Sequence, residues 1–403
     1  MKQRILLVNK FYYRRGGDCV YLLNLEEMLR SRGHEVAVFA MDYPENISSE
    51  WSAYFAPEIT FQGGAAQKLK AVGRTLGIGD INSSFSSVID KFKPDVVHLN
   101  NIHSYLSPQL AKIAARRGIK VVWTLHDYKL LCPSYSCRCR GEICEACFTD
   151  KSQVVRRRCM KGSLGASVIA WLEAMKWDSA TLSRMVDSFI CPSEFMAAKM
   201  RQGGFPAEKI VTLNNFIAPE MWERCKAATV NNDRDDYYCY VGRLSEEKGV
   251  ETLLKAAATL PYRLKIAGDG PLADELKKRY GGFSHIEFLG HLDSNGVNNL
   301  LSRARFSVIP SEWYENNPFS VIESHCLGTP VAGAHIGGIP ELITPDNGVT
   351  FKSGDTASLV AAIEEARNKH YDYNQISRIA LSRFSPDQHY ITLDKIYRTK
   401  SAL

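Results

Sequence analysis

Residues 237–259 read YYCYVGRLSEEKGVETLLKAAAT, and this stretch decides the fold class. Its first five residues are apolar or aromatic, which predicts a strand that is buried on both faces. A glycine-containing loop, residues 242–249, separates that strand from a helical pattern that continues to residue 259. A strand that leads through a short loop into a helix is the unit from which parallel α/β sheets are built.

The same alternation of strand and helix recurs on both sides of this stretch. The first half has strand patterns at residues 5–8, 36–40, 96–99, 120–125, 188–190 and 210–213. The second half has them at residues 237–241, 263–267, 286–289, 306–309 and 330–332. Residues 44–87 look less regular. Two such series predict an α/β protein with two doubly wound domains, residues 1–218 and 219–385, and a ligand cleft between them.

Composition and charge narrow the functional classes. The chain has 403 residues, of which 45% are hydrophobic and 23% charged, so disorder and collagen-like repeats are excluded. It contains no apolar run of about 18 residues and begins without a cleavage-site pattern, so we expect a cytoplasmic protein. Residues 1–218 carry a net charge of +9 and the remainder −3. The basic half indicates a membrane surface, a nucleic acid, an anionic substrate or scattered solvated charge.

The loops of the second half combine cations with carboxylates. Arg243 and Lys248 precede a helix, where two cations and free amides suit a diphosphate. Glu315 follows the strand at residues 306–309, and Glu323 lies in an apolar helix, where a carboxylate can bind ribose hydroxyls. A solvated turn and a surface salt bridge are the structural alternatives.

The loops of the first half contain a glycine pair and a histidine. Gly16 and Gly17 precede a helix and allow a ligand to approach the backbone, although a tight turn without a ligand fits equally well. His126 and Asp127 end a buried strand, where catalytic side chains are common in α/β proteins. A structural histidine is the alternative.

Taken in order, these motifs resemble family 4 of the retaining glycosyltransferases, which have the GT-B fold of two Rossmann-like domains facing across a cleft. The resemblance spans nearly the whole chain. It rests on Gly16-Gly17-Asp18, Pro94-Asp95-Val96-Val97-His98, Thr124-Leu125-His126-Asp127, Pro192-Ser193-Glu194, Asn214-Asn215, Gly242-Arg243-Leu244, Lys248-Gly249, Gly268-Asp269-Gly270-Pro271, Glu315 with Glu323, and Gly337-Gly338-Ile339-Pro340-Glu341-Leu342.

The resemblance implies roles for individual residues. Two are implied to be catalytic: His126 and Glu315. Donor binding is implied for Gly16, Gly17, Arg243, Lys248, Asn317, Phe319, Ser320 and Glu323. The acceptor side is implied to include His98, Asn101, His103 and Asp127. The first domain is then expected to bind the acceptor and the second the nucleotide-sugar, with residues 386–403 packing back on the first domain.

The implied activity is transfer of a hexose, with retained configuration, from a UDP- or GDP-sugar to a glycan or lipid-linked acceptor in surface polysaccharide or glycolipid assembly. We expect no catalytic metal and no nucleic-acid partner, and we interpret Asp233-Arg234-Asp235 as solvated charge. The protein is then cytoplasmic, with contact to the inner face of the plasma membrane. A nucleotide-sugar 2-epimerase and a non-catalytic nucleotide-sugar-binding scaffold are the alternatives. Pro318 departs from the family's glycine-rich loop and removes one amide donor.

Two segments beside His126 stand apart from these motifs. Residues 132–159 contain six cysteines, including the CxxC pair Cys144 and Cys147. The CxxC pair indicates a structural zinc, and the resemblance implies Cys132 and Cys159 as ligands beside Cys144 and Cys147. Cys137 and Cys139 are alternative ligands, and disulfides or free thiols are the alternatives to zinc. Residues 164–177 are apolar, which predicts either a packed helix or a surface that contacts a lipid-linked acceptor or the bilayer.

Overall fold

The chain folds into two compact units. The computed structural model describes residues 2–61 and 63–399. Unit 1 contains the residues up to Asn214 together with the chain from His389 onward, and unit 2 contains Asn215–Gln388. The boundaries expected from the sequence were residues 218 and 386.

The strands and helices of unit 1 follow in chain order. They are β1 (Arg4–Val8), α1 (Gly17–Ser31), β2 (Glu35–Phe39), α2 (Ala65–Thr75), α3 (Ile81–Phe92), β3 (Val96–Leu99), α4 (Gln109–Arg116), β4 (Lys120–Thr124), β5 (Arg138–Cys139), β6 (Glu142–Ile143), α5 (Gln153–Arg156), α6 (Leu164–Lys176), α7 (Ser179–Ser183), β7 (Ser188–Cys191), α8 (Glu194–Gln202) and β8 (Ile210–Thr212).

Unit 2 continues the series, and the last helix crosses the boundary between the units. The elements are α9 (Pro219–Ala227), β9 (Tyr238–Val241), α10 (Val250–Ala257), β10 (Leu264–Ala267), α11 (Ala273–Tyr280), β11 (Ile286–Gly290), α12 (Ser294–Arg303), β12 (Ser307–Ile309), α13 (Phe319–Cys326), β13 (Val331–Ala334), β14 (Gly348–Phe351), α14 (Thr356–Asn368), α15 (Tyr373–Arg383) and α16 (Pro386–Arg398).

Each unit is built on a six-stranded parallel sheet. The order is β2-β1-β3-β4-β7-β8 in unit 1 and β11-β10-β9-β12-β13-β14 in unit 2. The central strands are buried along their whole length because apolar residues point to both faces and helices cover both. The predicted α/β class with two doubly wound sheets is confirmed. In each sheet the order reverses once, between β1 and β3 and between β9 and β12.

Residues 44–87 are more regular than the sequence indicated, because they contain α2 and α3. The buried face of α3 consists of Ile81, Phe85, Val88, Ile89 and Phe92, a helical spacing. Serines fill the opposite face, and their preference for turns conceals the pattern. The expectation of an irregular region was therefore wrong for these residues.

The last helix is held within unit 1 by three polar contacts. The Tyr397 hydroxyl lies 2.6 Å from Nδ1 of His98, and the Tyr390 hydroxyl lies 2.8 Å from Nε2 of His34. Nδ1 of His389 lies 3.0 Å from the Asn214 carbonyl. Side chains from the end of the chain therefore complete the core of the unit that contains its beginning.

Candidate functional site

The reversal point of the unit 2 sheet brings the predicted donor residues together. Strands β9 and β12 are neighbours in the sheet. Helix α10 connects β9 to β10 on one side of this pair, and helix α13 connects β12 to β13 on the other side. Ligands of doubly wound sheets bind in the crevice at this point, beyond the carboxyl ends of the strands. Lys248 lies in the loop after β9, and Glu315 lies in the loop after β12.

Glu315 is buried, and three donor groups contact one of its carboxylate oxygens. One carboxylate oxygen, Oε1, lies 2.7 Å from Nζ of Lys248 and accepts hydrogen bonds from Ser311 and from the Trp313 indole, both at 2.8 Å. Burial alone would raise the pKa of this carboxyl, but the Lys248 ammonium and the three hydrogen bonds hold it below its ordinary value. The site therefore holds a fixed carboxylate beside a fixed cation. Ser311 and Trp313 were not predicted, although both lie in the same loop as Glu315.

Two glycines are required by close contacts of the backbone. Gly337 has φ +60°, and a Cβ there would lie 2.3 Å from the Glu315 carbonyl oxygen. Its neighbour Gly338 donates its amide to that carbonyl at 2.7 Å. Gly249, at φ +66°, would place a Cβ 1.9 Å from the carbonyl oxygen of Pro310. These glycines allow the loops that carry Glu315 and Lys248 to approach at van der Waals distance.

The other predicted donor residues differ in accessibility. Arg243 is exposed, while Glu323 on α13 and the first-turn residues Phe319 and Ser320 are partly exposed. Asn317 is 2% exposed, and its Oδ1 accepts a hydrogen bond from the Asn215 amide at 2.8 Å. Its Nδ2 has no hydrogen-bond partner among the residues that the structure describes. Asn317 thus fixes the loop before α13 to the chain at Asn215.

The corresponding edge of unit 1 gathers several of the predicted residues. Gly16 is the N-cap of α1 and Gly17 its first residue. Nε2 of His126 lies 3.0 Å from Oδ1 of Asn100, and the ring packs edge-on against Tyr21 at 5.0 Å between centroids. Burial lowers the pKa of His126, although the carboxylates of Asp18 and Asp127 act in the opposite direction. Asn100 was not predicted; it is adjacent to Asn101, which was.

His103 and Asp127 lie close together, with 3.8 Å between Nε2 and Oδ1. Burial lowers the pKa of His103 to about 3, so this histidine is neutral near pH 7, and burial raises the pKa of Asp127. Nearby, Nζ of Lys129 lies 2.9 Å from the Glu173 carboxylate, with both side chains almost fully buried. This ion pair was also missed, though a single glutamate within an apolar helical pattern is a signal that could have identified it.

His98 corrects the prediction for the acceptor side. The residue is fully buried within β3, with Nδ1 2.6 Å from the Tyr397 hydroxyl and Nε2 2.7 Å from Oγ1 of Thr124. Burial lowers its pKa to about 3. Both ring nitrogens are occupied by protein groups, so His98 joins α16 to the sheet and does not face an acceptor. Asn101 lies at the strand end, where its amide is held by Oδ1 of Asn9 at 2.9 Å.

The cysteine insert groups its sulfurs differently from the prediction. Cys132 lies within hydrogen-bond reach of Cys137 and Cys147, while Sγ of Cys159 lies 3.8 Å from Sγ of Cys139. Cys144 instead faces Arg157. Of the expected ligand set of Cys132, Cys144, Cys147 and Cys159, the structure brings Cys132 and Cys147 into contact, while Cys144 and Cys159 have other neighbours. Zinc binding by the insert stays a prediction, which metal analysis of the purified protein tests.

The structure describes no arrangement that is ready to hold a metal. In residues 2–61 and 63–399, no three His, Cys, Asp or Glu side chains are placed to bind one ion together. The carboxylate of Asp235, in the Asp233-Arg234-Asp235 stretch, makes a bidentate pair with Arg303 at 2.9 and 3.0 Å. Within the described chain, each helix is too short or too polar to cross a bilayer.

Comparison with known proteins gives two family matches. Residues 15–221 match the family described as Glycosyltransferase Family 4. Residues 223–383 match the family described as Glycosyl transferases group 1. The two matches divide close to the boundary between the units.

Individual relatives are distant. Glycogen synthase of Mycobacterium tuberculosis is 30% identical over 232 residues, which cover 52% of this chain and 55% of that protein. The chain thus spans about half the length of that curated relative. An uncharacterized 42.6 kDa protein in the cps region of Klebsiella pneumoniae is 25% identical over 354 residues, covering 84% of this chain and 87% of that protein.

A solved structure extends the fold comparison to nearly the whole chain. HepE of Anabaena, in complex with UDP-glucose, superposes with a TM-score of 0.64 at 18% identity and covers 98% of this chain and 100% of that one. At this identity, the likeness concerns the fold alone.

Proposed function

Because this chain belongs to glycosyltransferase family 4, we propose that it transfers a hexose from a nucleotide diphosphate sugar to an acceptor hydroxyl, with retention of anomeric configuration. The observation that carries the proposal is the contact between Lys248 and Glu315, 2.7 Å apart at the reversal point of the unit 2 sheet. A fixed cation and a fixed carboxylate at that point match the two ends of the donor, its diphosphate and its sugar hydroxyls.

Unit 2 binds the donor in this proposal. Lys248 and the exposed Arg243 contact the diphosphate, and the first-turn amides of α13, at Phe319 and Ser320, face its phosphate oxygens. Glu323, one turn further along α13, accepts hydrogen bonds from the ribose hydroxyls. Glu315 lies against the transferred sugar. HepE, a structural neighbour, binds UDP-glucose, which favours a UDP-hexose donor with GDP as the alternative base.

The chemistry requires stabilisation of the leaving group more than a protein base. The bond between the anomeric carbon and the diphosphate oxygen breaks with both electrons moving to the phosphate. The acceptor oxygen forms the new bond on the same face, and its proton passes to the departing phosphate. Lys248 and Arg243 lower the barrier because negative charge develops on the diphosphate in the transition state. No step in this route uses a metal ion.

Unit 1 binds the acceptor in this proposal. His126 and Asp127 follow β4, and Asn101 and His103 follow β3, so all four belong to one edge of the sheet. Burial lowers the pKa of His126, so in this proposal its neutral ring lies against the acceptor sugar. The acceptor is a glycan or lipid-linked sugar of surface polysaccharide or glycolipid assembly, at the cytoplasmic face of a membrane.

Nucleotide binding to matched lysine variants tests the donor assignment. Titration calorimetry with UDP, GDP and ADP compares wild type, Lys248→Met, Glu323→Ala and the control Lys255→Met. Lys255 is also an ion-paired lysine of unit 2, 3.2 Å from Glu251 on the exposed side of α10. We expect one nucleotide to bind wild type and Lys255→Met alike, with affinity for Lys248→Met and Glu323→Ala lower by about tenfold or more.

Two results would contradict the proposal. Equal nucleotide affinity in all four proteins would show that Lys248 does not bind the diphosphate. Formation of a free, epimerised nucleotide-sugar in the absence of any acceptor would show that the protein is an epimerase and not a transferase. NMR of the transferred sugar's anomeric proton decides between retention and inversion.

A further inference from the structure

Helix α6 has its large apolar side chains on the side that faces solvent. Leu164, Leu172 and Met175 are 51%, 40% and 53% exposed. The buried side consists of Ser167, Ala170 and Glu173, which are small or charged. A surface helix normally shows the reverse arrangement, with the apolar stripe against the core.

The exposed residues form one continuous stripe. Leu164, Val168, Trp171, Leu172 and Met175 follow the spacing of a single helical face, and we call this set the α6 face. At 100° per residue they span an arc of about 100°. Val168 and Trp171 are partly exposed. A contiguous apolar surface of this kind marks an interaction site, whereas isolated exposed apolar residues do not.

Buried polar contacts fix the orientation of the helix. The Glu173 carboxylate lies 2.9 Å from Nζ of Lys129 and accepts the Ser104 amide at 3.0 Å. At the end of the helix, the Trp177 indole donates to the Thr75 carbonyl at 3.2 Å. Rotating α6 to bury its apolar stripe would leave a buried charge without its partner. The outward direction of the stripe is therefore part of the fold.

Basic residues border the α6 face. Lys161 and Lys176 lie at its two ends, and both are exposed. Partial burial lowers the pKa of Lys176, and the nearby charge of Lys112 on α4 adds to this effect. The single carboxylate of α6 is Glu173, which is buried and paired. Ile78, which follows the end of α2, is 62% exposed and lies close to the loop that contacts Trp177.

We propose that the α6 face docks on the surface of an anionic lipid bilayer. Its apolar side chains enter the acyl region, and Lys161, Lys176 and Lys112 contact the headgroups. The charge pattern favours a bilayer over a second copy of this chain, because a two-fold dimer would place these lysines opposite one another. The inference rests on α6 itself and does not depend on the proposed transfer reaction.

Docking in this way has a direct link to the proposed acceptor site. Ser104, whose amide and hydroxyl bind Glu173 of α6, directly follows His103 in the loop after β3. The loop that carries His103 therefore packs on the inner side of the helix whose outer side would contact the bilayer.

Vesicle flotation with the full chain tests the proposal. The probes are vesicles of phosphatidylcholine alone and of equal parts phosphatidylcholine and phosphatidylglycerol. The proteins are wild type, the double variant Leu172→Glu/Met175→Glu, and the control Ile379→Glu, an apolar residue of unit 2 that is 50% exposed. All substituted positions are on the surface, so we expect unchanged melting temperatures.

Wild type and Ile379→Glu should bind the phosphatidylglycerol vesicles alike, and the double variant should bind at least about tenfold more weakly. Lys161→Gln/Lys112→Gln and added salt should each weaken binding. The proposal is overturned if wild type ignores both vesicles or if the double variant binds as well as wild type. It is also overturned if wild type is a dimer that the double variant dissociates while vesicles remain unbound, because a second copy would then cover the α6 face.

Discussion

The Glu315 carboxyl owes its charged state in a buried position to a few neighbouring atoms. Lys248, Ser311 and Trp313 all direct donors to one of its oxygens. Together they outweigh the burial that would otherwise favour the neutral form. This balance gives the residue a measurable effect on stability as the pH changes.

The first prediction concerns acid stability. The folded-state pKa of Glu315 lies below its ordinary value of 4.5, so the carboxylate stabilises the fold fully above that pH. This contribution is lost as the pH falls through the folded-state pKa. We expect the free energy of unfolding to drop more steeply below pH 4.5 in wild type than in Glu315→Gln, as measured by denaturant titration. Parallel curves for the two proteins would contradict this account.

The second prediction separates two histidines that have similar sequence contexts. His98→Ala removes two buried hydrogen bonds and leaves the Tyr397 hydroxyl without its histidine partner, at a cost of about 1–3 kcal/mol. We expect lower stability and unchanged activity per folded molecule. His126→Ala should instead lower kcat on the order of a hundredfold, because it removes one positioned polar group beside the reacting sugar, with little change in melting temperature.

Thermal unfolding and transfer assays on the same preparations check both histidines. If His98→Ala lost activity without losing stability, its assignment as a structural residue would fail. If His126→Ala unfolded readily and kept its specific activity, the catalytic role proposed for His126 would fail.

At the scale of elements, the loops at the strand ends depend on backbone contacts that leave no room for a side chain. The Gly337–Gly338 turn closes on the main chain of Glu315, with the Gly338 amide 2.7 Å from its carbonyl oxygen. A methyl group at Gly337 would overlap that backbone. The position of the carboxylate in the loop after β12 is therefore set partly by the turn that follows β13.

The third prediction compares two glycines that have positive φ. Gly337→Ala forces a Cβ to within 2.3 Å of the Glu315 carbonyl, whereas Gly290, at φ +70°, has nothing within 4 Å. Both variants incur the left-handed backbone cost of about 1–2 kcal/mol. Only Gly337→Ala should also weaken nucleotide binding, measured by calorimetry. Equal nucleotide affinity in the two variants would show that the loop tolerates displacement.

The sequence predicted elements with unbroken apolar runs better than elements with mixed composition. The strand at residues 96–99 was placed correctly. Its four residues are all buried, and its short run of mainly apolar residues does not have the spacing of a helix. Helix α3 was missed because serines occupy its outer face. A local sequence pattern describes one element at a time. It therefore identifies central strands, which are apolar on both faces, more readily than surface helices, which are apolar on one.

The candidate site was predictable where a charged or polar residue lies in the loop after a strand, as at Lys248, Glu315, His126 and Asp127. It was not predictable where the role depends on a distant partner. Nothing near His98 in the sequence indicates that Tyr397 lies against it. The contact of Cys132 with both Cys137 and Cys147 likewise joins residues that spacing alone does not pair.

At the scale of the whole molecule, unit 1 contains residues from both ends of the described chain. Helix α16 contributes Leu393, Ile396 and Tyr397 to its interior, and all three are buried. The same helix supplies the hydroxyl group that binds His98. One part of the core of unit 1 is therefore separated from the rest in sequence by the whole of unit 2.

The fourth prediction follows from this arrangement. Ending the chain at Gln388 should speed amide hydrogen exchange in β1, β3 and β4, because the truncation removes three buried side chains of α16 from unit 1 together with the partner of His98. Exchange in β9 and β12 should stay as in the full chain. Ile391→Ser, at a position of α16 that is 47% exposed, is the matched control and should leave both sheets protected. Unchanged exchange in β1 after truncation would contradict the structural role of α16.

The split of unit 1 also has a consequence for the order of events during translation. A ribosome that has delivered β8 must still synthesise residues 215–388 before the last helix can emerge. At 5–20 residues per second, that interval is roughly 9–35 s. During it, the nascent first sheet lacks the helix that covers His98, while the second sheet can complete itself. The unit that is synthesised first is thus completed last. In the meantime it is the unit that chaperones would have to protect.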